Sequence, residues 1–113
     1  MRRALVPLLA LATTIVQSAL PAASRAACYE DVGCTDSDRY SWRELRSLAS
    51  CQVLWEMRNG IFHENGYCFE GDRALDMFGN AGCRYRRMSQ LPLNSAEKHN
   101  IAAIKRAEDS KGC

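Results

Sequence analysis

The chain has 113 residues, of which 47% are hydrophobic and 25% are charged, and its formal net charge is +2 at pH 7. This length and balance allow one small globular domain with a thin core. Such a weak charge requires neither a nucleic-acid partner nor an anionic membrane surface, and we expect neither.

Residues 1–26 have the order of a secretory signal. Two arginines precede a mostly apolar stretch over residues 4–20, and small residues follow it. Ser24 and Ala26 have the offset that a signal peptidase requires for cleavage after Ala26. The sequence therefore predicts a cleaved signal peptide over 1–26 and a mature domain over 27–113 that is periplasmic or secreted.

Two other interpretations of this segment are open. A membrane anchor is disfavoured because the apolar stretch is shorter than the ~20 residues that a span requires. Lipid attachment at Cys28 is disfavoured because Arg25 does not suit the sequence ahead of a lipidated cysteine. The segment contributes three arginines and no acid, so the rest of the chain has 12 basic and 13 acidic side chains, a formal charge of −1.

All six cysteines follow the predicted cleavage point. An even number of cysteines in a small exported domain predicts three disulfides. A zinc site is the alternative, but no two cysteines have C-x2-C spacing, and His63 and His99 are not spaced as a ligand pair. We therefore expect no metal and no other cofactor. The cysteines are Cys28, Cys34, Cys51, Cys68, Cys83 and Cys113.

The mature chain begins with a polar, loop-like segment over residues 28–40. Ser41 and Glu44 then have the spacing of a capping box, which opens a helix by satisfying its first backbone N–H groups. The sequence predicts a short helix over 41–50. Its apolar face consists of Trp42, Leu45 and Leu48.

Ser50 predicts the cap of a second helix, which runs from Cys51 to about Asn65 and ends at Gly66, because a residue in that position often needs a positive φ. The apolar face of this helix consists of Leu54, Met57 and Ile61. A third short helix is expected from about Gly71 to Phe78, with Leu75 and Phe78 inward and with Gly79 and Gly82 after it. Residues 83–92 predict an irregular segment.

Asn94 and Glu97 form a second capping box, at the start of a last helix. Its apolar face consists of Ile101, Ala103, Ile104 and Ala107. No stretch has the alternation of a strand. The expected fold is therefore all-α, a small single domain of about four short helices cross-linked by disulfides.

Helix geometry limits the disulfide pairing. Cys51 and Cys68 bracket the second helix, whose length of about 21 Å exceeds the ~7 Å that a disulfide allows between its Cα atoms. Among fifteen possible connectivities we favour one. Its pairs are Cys68–Cys83, Cys34–Cys51 and Cys28–Cys113.

His63 and Glu64 are the first candidates for chemistry. A zinc protease of the H-E-x-x-H type would need a second histidine where this chain has Tyr67, and Gly66 ends the helix before it. Adjacent helical side chains also point about 100° apart, so these two do not converge on one atom. We expect a solvated face at a helix end, no catalytic residue and no enzyme. A hydrolase using Glu64 or His63 is kept as a third hypothesis.

Arg58, Asn59 and Gly60 lie inside the second helix, where asparagine and glycine are poor helix formers. The structural interpretation is that Gly60 admits another segment and that Asn59 bonds a loop backbone. The alternative is a ligand-binding role for Arg58 and Asn59.

The basic patch of the mature chain consists of Arg84, Tyr85, Arg86 and Arg87. Arginines around an aromatic ring can bind anionic polymers. In an exported protein these would be anionic glycans, peptidoglycan or lipid headgroups. The alternative is a solvated loop with ordinary ion pairs.

Two groups of residues resemble the YARHG domain, over about residues 41–108. The first is Arg58, Asn59, Ile61, Phe62, Gly66, Tyr67 and Phe69, followed by Leu75 and Phe78. The second is Leu93, Asn94, Glu97, Asn100 and Ile101. The namesake Tyr-Ala-Arg-His run differs, since its positions hold Phe62, His63, Glu64 and Asn65, and only the glycine is kept.

The resemblance implies a bacterial, exported, extracytoplasmic domain with no assigned enzymatic activity. It makes Arg58, Asn59, Gly66 and Tyr67 the residues of most interest, because His63 and Glu64 occupy positions where the chain departs from the family. The resulting hypothesis is a non-enzymatic binding or structural module at the cell envelope. The alternative is a small secreted inhibitor or effector that docks on another protein. The partner is then an envelope polymer or another exported protein.

Overall fold

The computed structural model describes residue 12 and residues 27–113. Apart from residue 12, the predicted signal peptide lies outside the described residues. Within the part that is described, no helix has the length and apolar character needed to cross a bilayer.

Four α-helices make up most of the domain, which confirms the predicted all-α class. In chain order the elements are β1 (Cys28–Tyr29), β2 (Gly33–Cys34), α1 (Trp42–Leu48), α2 (Cys51–Glu64), α3 (Asp72–Phe78), a 3-10 helix (Met88–Gln90) and α4 (Ser95–Lys111). The two strands pair antiparallel, with Cys28 opposite Cys34. They were not expected, because two residues are too few to show an alternating pattern.

The main core lies where α2 and α1 pack against α4. The apolar faces predicted for α2 and α4 are confirmed, with Ile61 and Ile104 fully buried. Small side chains on α4 let the helices approach closely, since Ala103 and Ala107 are both buried. A second cluster forms around Phe62, Phe69, Ala74 and Leu91, under α3 and the segments beside it.

The helix ends follow the predicted signals in α2 and α4. The Ser50 hydroxyl accepts a hydrogen bond from the Val53 N–H (3.2 Å). The Asn94 side chain accepts from the Glu97 N–H (2.8 Å), and the Glu97 carboxylate accepts from the Asn94 N–H (3.0 Å). Gly66 adopts the expected positive φ, 86°.

The predictions for α1 are partly wrong. The side chain of Ser41 makes no capping hydrogen bond, although its carbonyl accepts from the Leu45 N–H as in any helix start. Leu48 is 59% exposed rather than part of an apolar face. The physical reason is that α1 has only seven residues, of which Leu45 alone is buried. In α3, Leu75 and Phe78 are only half-buried, and Ala74 is the buried residue.

Asn100 attaches the loop ahead of α1 to α4. Its side chain is fully buried. Its Oδ1 accepts from the Tyr40 N–H (2.8 Å), and its Nδ2 donates to the carbonyls of Thr35 (2.9 Å) and Asp38 (2.6 Å). One amide thus satisfies three backbone groups, of which two are buried and the Asp38 carbonyl is partly buried.

The disulfides differ from the favoured pairing in two of three bonds. The structure has Cys68–Cys83 as favoured, but Cys28 bonds Cys34 and Cys51 bonds Cys113. The predicted Cys34–Cys51 and Cys28–Cys113 pairs are wrong because the two strands bring Cys28 and Cys34 to opposite positions of one register. The end of α4 then lies beside the start of α2, where Cys51 is.

We expect the Cys51–Cys113 bond to contribute more stability than the Cys28–Cys34 bond. The first closes a sequence separation of 62 residues and the second one of 6. Loop-closure entropy gives about 4 kcal/mol for the longer loop and about 2 kcal/mol for the shorter. Urea unfolding of the two double Cys→Ser variants checks this order. An equal loss of unfolding free energy in both variants would contradict it.

Replacing Asn100 by alanine should cost about 3 kcal/mol of unfolding free energy, because two buried backbone groups and one partly buried group lose their partner. The matched control on the same helix is Lys105→Ala. It removes an exposed ion pair to Asp109, so the change should stay within about 0.5 kcal/mol. Chemical denaturation measures both variants. A similar loss of unfolding free energy in the two variants would contradict a large contribution of the Asn100 hydrogen bonds to stability.

Candidate functional site

A groove of about 390 Å³ lies at the C-terminal end of α2. It brings together two segments that the sequence singled out separately, the His63–Glu64 pair and the basic patch at Arg84 and Tyr85. Its lining residues are His63, Glu64, Asn65, Gly66, Gly82, Arg84, Tyr85 and Pro92.

Backbone hydrogen bonds hold the two walls of this groove together. The Gly66 carbonyl accepts from the N–H groups of Arg84 (2.7 Å) and Tyr85 (3.0 Å), and the Cys68 N–H donates to the Tyr85 carbonyl (2.7 Å). The Cys68–Cys83 disulfide links the same two segments covalently. A Cβ on Gly66 would lie 3.5 Å from the Tyr85 ring, but the positive φ there favours glycine in any case. The groove is therefore built on an ordered backbone.

Glu64 is only partly solvated, which the sequence did not predict. Its Oε1 accepts a hydrogen bond from the backbone N–H of Ala27 (3.0 Å). Burial raises the pKa of its carboxyl above the ordinary value, and the nearby charges of Glu97 and Asp36 raise it further, while the Ala27 hydrogen bond opposes the shift. The expected solvated carboxylate is therefore wrong, because Ala27 contacts Glu64 at the end of α2.

His63 belongs to an aromatic cluster rather than to a solvated face. Its ring centroid lies 5.2 Å from that of Phe78 and 6.4 Å from that of Phe69. The prediction of a solvated face is wrong here too, because α3 and the segment before it cover this side of α2. Within residues 27–113, His63 and Glu64 share no hydrogen bond. They contact different neighbours, as their separation on the helix predicts.

Arg58 and Asn59 make contacts within the scaffold. The Arg58 guanidinium forms two hydrogen bonds to the Glu108 carboxylate (2.6 and 3.0 Å), which join α2 to α4. Asn59 is buried, and its Nδ2 donates to the Trp55 carbonyl in its own helix (2.9 Å), so the predicted bond to a loop is wrong. No atom lies within 4 Å of a Cβ built on Gly60, so the predicted close approach is wrong as well. That face of the helix is open.

Asn65 connects the groove to α4, and no sequence motif indicated this contact. Its Nδ2 donates to the Glu97 carboxylate (2.6 Å) and to the Ile61 carbonyl (2.8 Å). The other oxygen of Glu97 closes the capping box of α4. Tyr67, another predicted candidate, is half-buried with its ring edge-on to those of Phe62 and Phe69. Both residues therefore order the groove.

The arginines of the basic patch are the free charged groups near the groove. Arg84, Arg86 and Arg87 are exposed. Within residues 27–113, none of their side chains has a carboxylate within 4.0 Å or a hydrogen bond, so the expected ordinary ion pairs are absent from this part of the chain. Arg84 lines the groove, and Arg86 lines an adjacent hollow of about 270 Å³ beside Cys68 and Cys83. Tyr85 is half-buried and anchors the loop.

The described residues contain no group of three or more His, Cys, Asp or Glu side chains that could hold a metal ion. The chemistry that the groove offers is therefore that of its guanidinium, amide, imidazole and carboxyl groups. These groups suit the binding of an anionic ligand at the arginine side.

One comparison with known proteins gives a match. The sequence profile of the YARHG domain matches residues 34–109, more than half of the chain. This range includes the 41–108 over which the resemblance was predicted, together with part of the loop that Asn100 attaches to α4. No curated protein and no solved structure matches the chain.

The contact between Glu64 and Ala27 leads to a pH-dependent prediction. In a protein in which residue 26 precedes Ala27, the pKa of the Glu64 carboxyl is raised. The carboxyl then contributes to the stability of the fold below about pH 4.5, and this contribution is lost as pH rises through the pKa of the folded state. Glu64→Gln removes that loss. The variant should therefore gain stability relative to the wild type between about pH 4 and about pH 7. Unfolding free energies over this range measure the effect, with the exposed Glu70→Gln as control.

In a protein that begins at Ala27, the effect of the same substitution should reverse. The donor to Glu64 is then an α-ammonium group, which favours the ionised carboxylate and lowers its pKa. Glu64→Gln should then lower stability near neutral pH. The same sign in both proteins would contradict this account of the contact.

Proposed function

Because the chain belongs to the YARHG domain family, whose domains are extracellular or periplasmic, we propose that it is an exported, non-enzymatic binding module at the bacterial cell envelope. One observation carries this proposal. Three exposed guanidinium groups without ionic partners lie on the loop that forms one wall of the groove.

The unpaired arginines favour an anionic partner. An arginine side chain presents up to five N–H donors in a planar fork that matches a carboxylate or a phosphate. The rest of the chain beyond residue 26 is close to neutral, with 12 basic and 13 acidic side chains, so the patch is a local feature. Peptidoglycan, which carries carboxylates, is the envelope polymer that we propose as the first ligand to test.

The absence of catalysis is part of the same proposal. Glu64 is bonded to a backbone N–H, and the His63 ring lies against Phe69 and Phe78. General acid–base catalysis requires a group that can reach the proton it transfers. A ligand can bind in the groove while Glu64 and His63 keep these contacts.

The proposed location rests on the sequence and on the disulfides. Residues 1–26 have the order of a secretory signal, and the structure has three disulfides with no free cysteine among the described residues. Disulfides persist in the periplasm or outside the cell. We therefore place the proposed binding function in one of these compartments.

Co-sedimentation with purified peptidoglycan tests the proposal. The triple variant Arg84→Gln, Arg86→Gln, Arg87→Gln should bind roughly 10- to 100-fold more weakly, because three exposed charge contacts of ~0.5–1 kcal/mol each are lost. The matched control replaces Lys98, Lys105 and Lys111 by glutamine. It removes the same charge from α4 and should leave sedimentation unchanged. Wild-type protein that stays in the supernatant at low salt would rule out this polymer.

A second candidate function is docking on another exported protein, as an inhibitor or effector. One observation favours it. Leu48 and Val53 are 59% and 37% exposed beside a small apolar cleft between α1 and α2, and exposed apolar side chains of this kind occur at protein interfaces. Capture of a single envelope protein by the wild type but not by Leu48→Ser, without any sedimentation, would favour this alternative.

A further inference from the structure

A second hollow, of about 330 Å³, lies between the start of α1 and the middle of α4. It shares no lining residue with the groove. Its residues on α4 lie roughly 6–17 Å along the helix from the first residue. The lining residues are Tyr40, Ser41, Trp42, His99, Ala102, Ala103 and Arg106.

Two arginines from distant parts of the sequence contact the Trp42 ring, and one of them, Arg106, lines the hollow. The guanidinium carbon of Arg106 lies 4.2 Å from the Trp42 ring centre, and that of Arg43 lies 4.8 Å from it. Within residues 27–113, neither side chain makes a hydrogen bond or an ion pair. A guanidinium stacked on an aromatic ring keeps its N–H donors in its own plane and free for a ligand. Trp42 therefore orders two unoccupied anion-binding groups.

His99, another residue that lines the hollow, contacts a further arginine, Arg39. The His99 Nε2 lies 2.9 Å from the Tyr40 carbonyl, which can only accept, so this nitrogen donates. Nδ1 then accepts from the Arg39 guanidinium (3.1 Å). Neutral His99 thus holds Arg39 in place while adding no charge of its own.

The other residues that line the hollow indicate what kind of molecule carries the anionic group. Ser41 makes no helix-capping bond, so its hydroxyl is available to a ligand. The alanines at 102 and 103 leave a shallow floor beside Trp42. The hollow is also larger than a single carboxylate or phosphate group requires. A compact body with a hydroxyl-rich edge, such as a sugar unit, matches these walls.

We propose that this hollow binds an acidic sugar, whose carboxylate or phosphate group lies on Arg106 and whose ring lies between Ser41 and the two alanines. The exported location explains which molecules the domain would meet. The hollow is a separate site from the groove, because none of the three arginines of the basic patch lines it.

The indole N–H signals of the two tryptophans provide the test by nuclear magnetic resonance. Trp55 is an internal control, since it also carries a stacked arginine, Arg73, but that guanidinium is hydrogen-bonded to Gln52. Galacturonate oligomers and glucose 6-phosphate are titrated separately, to distinguish carboxylate from phosphate sources. With at least one of them the Trp42 signal should move and saturate, while the Trp55 signal stays in place.

Variants then assign the binding groups. Arg106→Gln should weaken binding about fivefold or more, because a charge-assisted hydrogen bond is lost. Arg73→Gln and the triple groove variant should bind as the wild type does. Unchanged amide spectra of the variants away from α1 and α4 show that the fold is retained.

Four results would overturn the proposal. Glucose could move the Trp42 signal as strongly as the acidic sugars do, which would remove the role of charge. Inorganic phosphate alone could bind as tightly, which would leave only a simple ion site. Polyglutamate could match the galacturonate oligomers, which would make the ligand an acidic peptide. Finally, Trp55 could move together with Trp42, which would indicate a general salt effect.

Discussion

The packing of α2 against α4 supports every other feature of the domain. Apolar side chains join the middle of the two helices, and the Arg58–Glu108 ion pair lies beside them with both side chains largely out of water. At one end the Cys51–Cys113 disulfide crosses between the helices, and at the other Asn65 bonds Glu97. Breaking a buried ion pair by removing one partner is costly. The pair therefore favours one register of α2 on α4.

The residues that carry the family resemblance act mainly within this scaffold. Asn94, Glu97 and Asn100 occupy one side of α4 at its start, where they cap the helix, bond Asn65 and attach the loop before α1. Arg58 joins α2 to α4 through its ion pair with Glu108. Gly66 forms the turn after α2. Family membership thus accounts for how the domain is built. The arginines of the proposed binding sites lie on the irregular 84–87 segment and around Trp42. They are not among the residues that carry the resemblance.

The two proposed sites have the same physical basis. In each, guanidinium groups that form no ion pair within residues 27–113 are held by an ordered support, the disulfide-linked walls of the groove and the Trp42 ring beside the hollow. Pre-ordering reduces the entropy that a ligand must overcome when it binds. Because both sites rely on exposed charge, salt should weaken binding at either one. Simultaneous use of both sites by one polymer would strengthen binding through effective concentration.

Local signals in the sequence determined the helices and their boundaries. Ser50, Asn94 with Glu97, and Gly66 each satisfy or release backbone groups within a few residues, so their roles can be predicted without the fold. The apolar periodicity of α2 and α4 predicted their buried faces for the same reason. Only the tertiary structure decided the long-range contacts. The partners of Arg58, Glu64 and Asn100 lie 37 to 65 positions away in sequence.

The disulfides show the same division. The even number of cysteines predicted three bonds, but pairing depends on which Cα atoms the fold brings close, and two of the three favoured pairs were wrong. His63 and Glu64 looked solvated because a helix pattern does not show what packs over its end. The convergence of Arg43 and Arg106 on Trp42 had no signal at all, since α1 and α4 meet only in the folded chain. The sequence alone thus determined the elements and the number of cross-links. The tertiary structure decided which charged groups stay free to bind, because burial and pairing depend on neighbours distant in sequence.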